Sequence, residues 1–157
     1  MEGRNTKIFN RETDTTKDGV IIRSVKTFHD DLQGSKRGEN LLFKFILGDI
    51  KFCHLGDLGH VLDDSTIQKL GAIDILFVPV GNVFTIGPKD AWKVIRAIAP
   101  NVAIPMHYRV GGLSLSIKPV DPFLEMADEN SIVRVGNEMD FEKEDLPEEF
   151  EVWVFTL

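Results

Sequence analysis

One cysteine, Cys53, stands in 157 residues, which excludes an internal disulfide and fits a reducing compartment. No stretch approaches the roughly 20 apolar residues of a membrane span. Met1 to Asn10 is polar and lacks the apolar core of a signal peptide. Positive charge is short as well. Eighteen Lys and Arg against 25 Asp and Glu give a formal net charge of -7 and a pI of about 5.1. Nucleic acid and anionic membrane surfaces both reward a basic face, so neither is expected as a main partner. These absences point to a soluble cytoplasmic protein whose ligand is a small molecule.

Histidine is scarce too, with four in the chain, and its placement is informative. Each stands at the end of an apolar run or just beyond one. A strand end presents a ligand into a shared cleft without disturbing the sheet's hydrogen bonds. The heptapeptide His54-Leu55-Gly56-Asp57-Leu58-Gly59-His60 gathers three potential metal ligands among glycines. His29 and His107 each follow a further apolar run.

Length and a hydrophobic fraction of 43% suit one globular domain with a sizeable core. Residues 1–19 form a polar N-terminal segment. From Val20 to Phe28, β-branched residues predominate and predict a strand. Asp30 to Glu39 reads as a loop. Leu41 to Leu47 and Ile50 to His54 pair as a hairpin around Gly48-Asp49. Asp63-Asp64-Ser65 offers an N-cap for a short helix through Leu70. Ile73 to Val80 and Val102 to Met106 read as strands buried on both faces. Between them, Pro88 to Ala99 has the spacing of a helix, with Ala91, Val94, Ile95 and Ile98 inward. Gly111 and Gly112 mark a loop. Pro119 to Asp128 predicts another helix, Ile132 to Val135 and Glu151 to Leu157 closing strands, and Glu142 to Glu149 a solvated acidic segment.

Asp57 is the first candidate for a metal-bridging carboxylate, because two oxygens can hold two cations about 3.5–4 Å apart. A turn or N-cap aspartate is the alternative. His107 and His29 are candidate metal ligands or core histidines satisfied by carbonyls. Asp30 or Asp31 would orient the His29 ring. His54 lies three residues before Asp57, so at strand period the two face opposite sides unless the chain bends at Gly56. It reads as a supporting or structural residue. His60 would meet substrate or solvent. Arg37 and Lys36 would bind an anionic substrate or remain solvated loop charges. Cys53, inside an apolar strand, reads as an inert thiol. Ser114 and Ser116 lack a nucleophile-elbow context. Gly81 ends a strand as a phosphate loop would, without the Lys-Ser/Thr that such a loop needs.

Five blocks in this order carry a resemblance: Thr27-Phe28-His29-Asp30, Arg37-Gly38-Glu39-Asn40, Cys53 to His60, Asp74 to Gly81 with Thr85-Ile86-Gly87-Pro88, and Ile104-Pro105-Met106-His107-Tyr108. From Val20 to Leu157 the chain resembles the C-terminal part of metallo-β-lactamase-superfamily hydrolases, in the branch of L-ascorbate-6-phosphate lactonase-like, zinc-dependent enzymes. The resemblance implies an α/β fold (α+β by strand order), half of an αββα sandwich, with one mixed sheet and helices on one face over residues 20–157. It implies His29 as a ligand of one metal, Asp57 as the bridging ligand and catalytic carboxylate, and His107 as a ligand of a second metal. His54, His60 and Arg37 would be supporting or substrate-contacting residues. The implied metal is zinc, with manganese or iron as alternatives. The implied reaction is attack of a metal-held hydroxide on an ester, lactone, amide or phosphoester.

The sequence departs from the family in lacking the His-x-His-x-Asp-His signature. Three readings follow. The chain is a fragment; or a second copy or partner chain completes it, covering the exposed sheet; or it is a non-catalytic, oligomerising or ligand-binding half-domain.

Overall fold

A computed structural model describes residues 7–111, 114 and 116–156. Expectations for Met1 to Thr6, Gly112 and Leu157 lie outside the described residues. The chain forms one eight-stranded mixed sheet with a few helices. The strands are β1 (Asp14–Lys17), β2 (Val20–Phe28), β3 (Glu39–Leu47), β4 (Ile50–His54), β5 (Ile75–Pro79), β6 (Val102–Met106), β7 (Ile132–Val135) and β8 (Glu151–Phe155). The helices are α1 (Asp64–Leu70), α2 (Pro88–Ile98) and α3 (Asp121–Leu124). The sheet order is β1-β2-β3-β4-β5-β6-β8-β7. No helix among the described residues is long and apolar enough to cross a membrane.

The first four strands form an antiparallel meander. Its tight turns need positive φ at both central residues, and Asp18-Gly19 and Gly48-Asp49 supply it, at 51° and 81° and at 53° and 64°. From β4 onward every pairing is parallel. Parallel neighbours need crossovers. The segment holding α1 connects β4 to β5, and α2 connects β5 to β6. Asp63 caps α1 by accepting the Thr66 N–H at 2.7 Å, a contact of about 1 kcal/mol. α2 starts at Pro88 and turns Ala91, Val94, Ile95 and Ile98 into the core, as expected from spacing, and Trp92 with them.

Strand alternation sorts the side chains onto two faces. On the helix-covered face, Leu42, Cys53, Leu76, Val78, Ala103 and Val152 pack with the apolar side of α2. On the other face Ile50, Ile75, Val102, Ile104 and Trp153 are buried, in part beneath Phe141 and Leu146. Toward β3 this cover runs out, and Leu41, Phe43, Phe45 and Phe52 are only half-buried. Phe45 and Phe52 stack there at 4.9 Å.

Two expected elements differ. The strand expected over Ile73 to Val80 is shorter, Ile75–Pro79. The helix expected over Pro119 to Asp128 is reduced to Asp121–Leu124. The Trp92 indole N–H donates to the Phe123 carbonyl at 3.0 Å, and Met126 and Ala127 close tighter three-residue turns instead of extending the helix. Asp128 then caps a 3₁₀ turn through the Asn130 N–H. The acidic segment likewise contains a 3₁₀ turn, Lys143–Asp145. The polar N-terminal segment contributes β1 to the sheet.

Candidate functional site

β2 and β4 are both antiparallel to β3, so they run the same way, and β5 and β6 run parallel to β4. The carboxyl ends of β2, β4 and β6 therefore share one edge of the sheet. His29 follows β2, Asp57 lies just past β4, and His107 follows β6. The three line one cavity of about 380 Å³ together with Phe84, Thr85 and Ile117. Asp57 and His107 also line a wider opening of about 930 Å³, with His54, Asn40 and Phe43.

His107 Nδ1 stands 3.1 Å from Asp57 Oδ1, and their side chains are 40% and 55% exposed, so a molecule in the cavity meets both. The His107 backbone is left-handed (φ 54°), a conformation that puts the ring off the line of β6. Gly81 permits this. A Cβ there would run into the His107 carbonyl oxygen.

His29 Nε2 is buried and has no hydrogen-bond partner in the protein. An unpaired buried polar atom is costly, on the order of 1–3 kcal/mol, and calls for an explanation. Of the two expected partners for this ring, Asp31 makes no hydrogen bond to it among the described residues, and Asp30 is engaged elsewhere. Its two oxygens accept the N–H groups of Leu32, Gly34, Lys36 and Arg37 at 2.7–3.0 Å. Burial alone would raise the Asp30 carboxyl, but these four donors outweigh it and hold its pKa at about 2. Asp30 shapes the loop after His29 rather than orienting the ring.

Asp57 is positioned by a residue the composition of the motif did not reveal. The Asp57 N–H donates to Asn40 Oδ1 at 2.9 Å, while Asn40 Nδ2 donates to Leu55 O at 2.9 Å and Thr27 Oγ1 at 3.0 Å. Asn40 is buried on the same face of β3 as Leu42, and a polar side chain in that register was the available signal.

The chain does bend at Gly56, with φ at 57°, so His54 joins Asp57 and His107 at the wider opening despite the strand period. His54 Nδ1 accepts the Gly56 N–H at 3.0 Å, which makes Nε2 the protonated nitrogen of the neutral ring. Burial, and then the His107 charge, push the His54 pKa down against the pull of Asp57.

His60 and Arg37 do structural work. The His60 ring accepts the Phe28 N–H at Nε2 (3.3 Å) and donates from Nδ1 to the Val61 carbonyl (2.8 Å), so both nitrogens are engaged within the protein. Arg37 is an exposed loop charge that also has partners in the protein. It donates to the Val83 and Phe84 carbonyls at 3.2 and 3.3 Å, with its guanidinium 5.4 Å from the Phe84 ring centre. It thereby holds a wall of the His29 cavity. Cys53 is buried, and burial pushes its thiol up to about 12, as an inert thiol requires.

The donors present fit a metal in kind: two imidazoles and a carboxylate at one cavity, one imidazole nitrogen buried without a partner. Their spacing is a pair and a single. Among the described residues no three His, Cys, Asp or Glu side chains are grouped to hold one ion.

A family model described as a beta-lactamase superfamily domain matches residues 2–107, a span that contains His29, Asp57 and His107. The chain belongs to that superfamily. The crystal structure of a candidate Zn-dependent hydrolase of the metallo-beta-lactamase superfamily from Thermotoga maritima is 42% identical, with a TM-score of 0.82 over 95% of this chain and 71% of that one. A UPF0173 metal-dependent hydrolase of Thermococcus onnurineus is 34% identical over 96 residues, 60% of this chain and 43% of the relative. Another, of Desulforamulus reducens, is 33% identical over 55% of this chain and 41% of its own length. The chain thus spans about two fifths of the curated relatives it matches. The metallo-beta-lactamase fold protein YhfI of Bacillus subtilis, 13% identical with a TM-score of 0.57, shares the fold.

Proposed function

We propose that the His29–Asp57–His107 cavity is part of a metal-dependent hydrolytic site acting on a small-molecule ester, lactone, amide or phosphoester. One observation carries the reading: three residues from separate strand ends, up to 78 positions apart, line one cavity, and one of them keeps a buried nitrogen without a partner. His29 would hold a metal through Nε2, Asp57 through its carboxylate, and His107 through its ring. When bound, the metal lowers the pKa of a water molecule and offsets charge that develops on the substrate. The protein's own contributions are distinct. Asn40 fixes the turn that presents Asp57. Arg37 holds Phe84 in place along one wall of the cavity. His54 offers a neutral ring with its proton on Nε2, a donor suited to an oxygen that gains negative charge. Zinc suits this donor set first, and manganese or iron after it.

Elemental analysis of the purified chain tests the reading. Near-stoichiometric zinc, manganese or iron, lost in Asp57→Asn with the fold retained, is the expected result. A folded chain without metal, or metal content unchanged by Asp57→Asn, overturns it.

The half-exposed aromatics on β3 and β4 favour a second reading, in which the chain is a non-catalytic half-domain that assembles through this face. A second copy or a partner chain laid over Phe43, Phe45 and Phe52 would make the two-sheet sandwich. Sedimentation of the same purified sample separates the two: a stable dimer without metal supports assembly, and a monomer that holds metal opposes it.

A further inference from the structure

Beyond the cavity just described, the carboxyl ends of the parallel strands β6, β7 and β8 enclose a separate hollow of about 570 Å³. Carboxyl ends of parallel strands are where open α/β sheets bind ligands. Val120, Val154 and Phe155 give it an apolar lining, and Arg109, Arg134 and Asn137 a polar one. His107 belongs to both cavities.

The charge of this hollow is out of keeping with the molecule. The chain has 25 acidic residues against 18 basic ones, yet no Asp or Glu among the described residues lines it. Neither Arg109 nor Arg134 pairs with a carboxylate among the described residues, and neither guanidinium donates a hydrogen bond to them. The Tyr108 hydroxyl, by contrast, is engaged, donating to the Phe155 carbonyl at 3.3 Å. Two unpaired guanidinium groups over an apolar lining match a planar or tetrahedral anion on an apolar body, since the guanidinium fork binds carboxylate and phosphate oxygens in pairs.

We propose that this hollow binds the anionic group, a carboxylate or a phosphate monoester, of a small molecule with an apolar body. It rests on the hydrolytic reading in one respect: the shared His107 would put the rest of that molecule beside Asp57. Substrates of the site are then anionic, and Arg109 and Arg134 set that specificity.

The test uses the full chain freed of metal by a chelator, so that binding is read without turnover. Phenyl phosphate, benzoate and neutral benzyl alcohol are titrated by calorimetry, with amide NMR shifts locating the contact. At least one anion is expected to bind with shifts at Tyr108, Arg109 and Arg134, and benzyl alcohol far more weakly. Arg109→Gln and Arg134→Gln, both at exposed positions, are each expected to weaken the anion about tenfold. Tighter phenyl phosphate assigns a phosphate ester, and tighter benzoate a carboxylate. Equal affinity for the neutral probe, or unchanged affinity in both folded variants, overturns the proposal. Anion binding without metal uptake keeps this site and removes the hydrolytic reading; metal uptake without anion binding does the reverse.

Discussion

The side-chain oxygen of Asn40 accepts the main-chain N–H of Asp57 at 2.9 Å, and the same amide donates to Leu55 O and Thr27 Oγ1. One buried side chain thus ties β2, β3 and the turn after β4 together beneath the candidate site. Asn40→Ala strands the Leu55 carbonyl and the Asp57 N–H. The expected cost is about 1–3 kcal/mol of stability, read from chemical denaturation. Metal uptake should fall with it, at concentrations of denaturant where the variant is still folded. Full stability in the variant would remove Asn40 from this role.

Gly59 packs against the main chain of His29 and Asp30, and a Cβ there would overlap His29 carbonyl atoms. Backbone cannot step aside as a flexible side chain can. Gly59→Ala should therefore destabilise by roughly 1–3 kcal/mol, or several degrees in thermal midpoint. Gly136, with open space around it, supplies the control: Gly136→Ala should leave the midpoint nearly unchanged. Equal behaviour of the two variants would show that the close approach at Gly59 relaxes freely.

Asp74 predicts a pH dependence. Its carboxylate accepts the Lys51 N–H at 2.7 Å and lies 2.7 Å from Lys143 Nζ. Burial would raise its pKa, but the Lys143 ion pair and the Lys51 N–H outweigh that and leave it lowered. A folded-state value below the unfolded one means that the stabilisation is complete above about pH 4. It is lost as pH falls through the lowered value. Asp74→Asn should cost about 1.5–3 kcal/mol at pH 7, with the gap to the parent protein closing in acid. A gap that stays constant down to acid pH would rule out the ionised carboxylate as its source.

Much of the fold was legible in local pattern. Gly48-Asp49 announced its hairpin, and the spacing of Ala91, Val94, Ile95 and Ile98 announced α2. β1 was harder, because Asp14-Thr15-Thr16-Lys17 carries no apolar residue to alternate. Its sign was the Asp18-Gly19 dipeptide, which favours a two-residue hairpin turn. The second half of the expected third helix was lost to the Trp92 indole, a contact from another element that no local window contains. At the site, strand ends picked out the histidines and Asp57, because chain direction alone decides which end faces the cavity. Roles were less visible. His29 and Asp30 are adjacent, yet only coordinates show the carboxylate turned to four loop N–H groups. His60 and Arg37 carry groups common in active sites, and only their partners reveal them as clamps on Phe28 and on the Val83-Phe84 loop.

The shared sheet edge also sets the order in which the chain can become useful. His29 and His107 are separated by 78 positions, and their strands meet only through β3, β4 and β5. Contacts so distant along the chain form late, after the loops between them have closed. A ligand gripping both ends would therefore act on the last part of folding, slowing escape from the native state more than it hastens arrival.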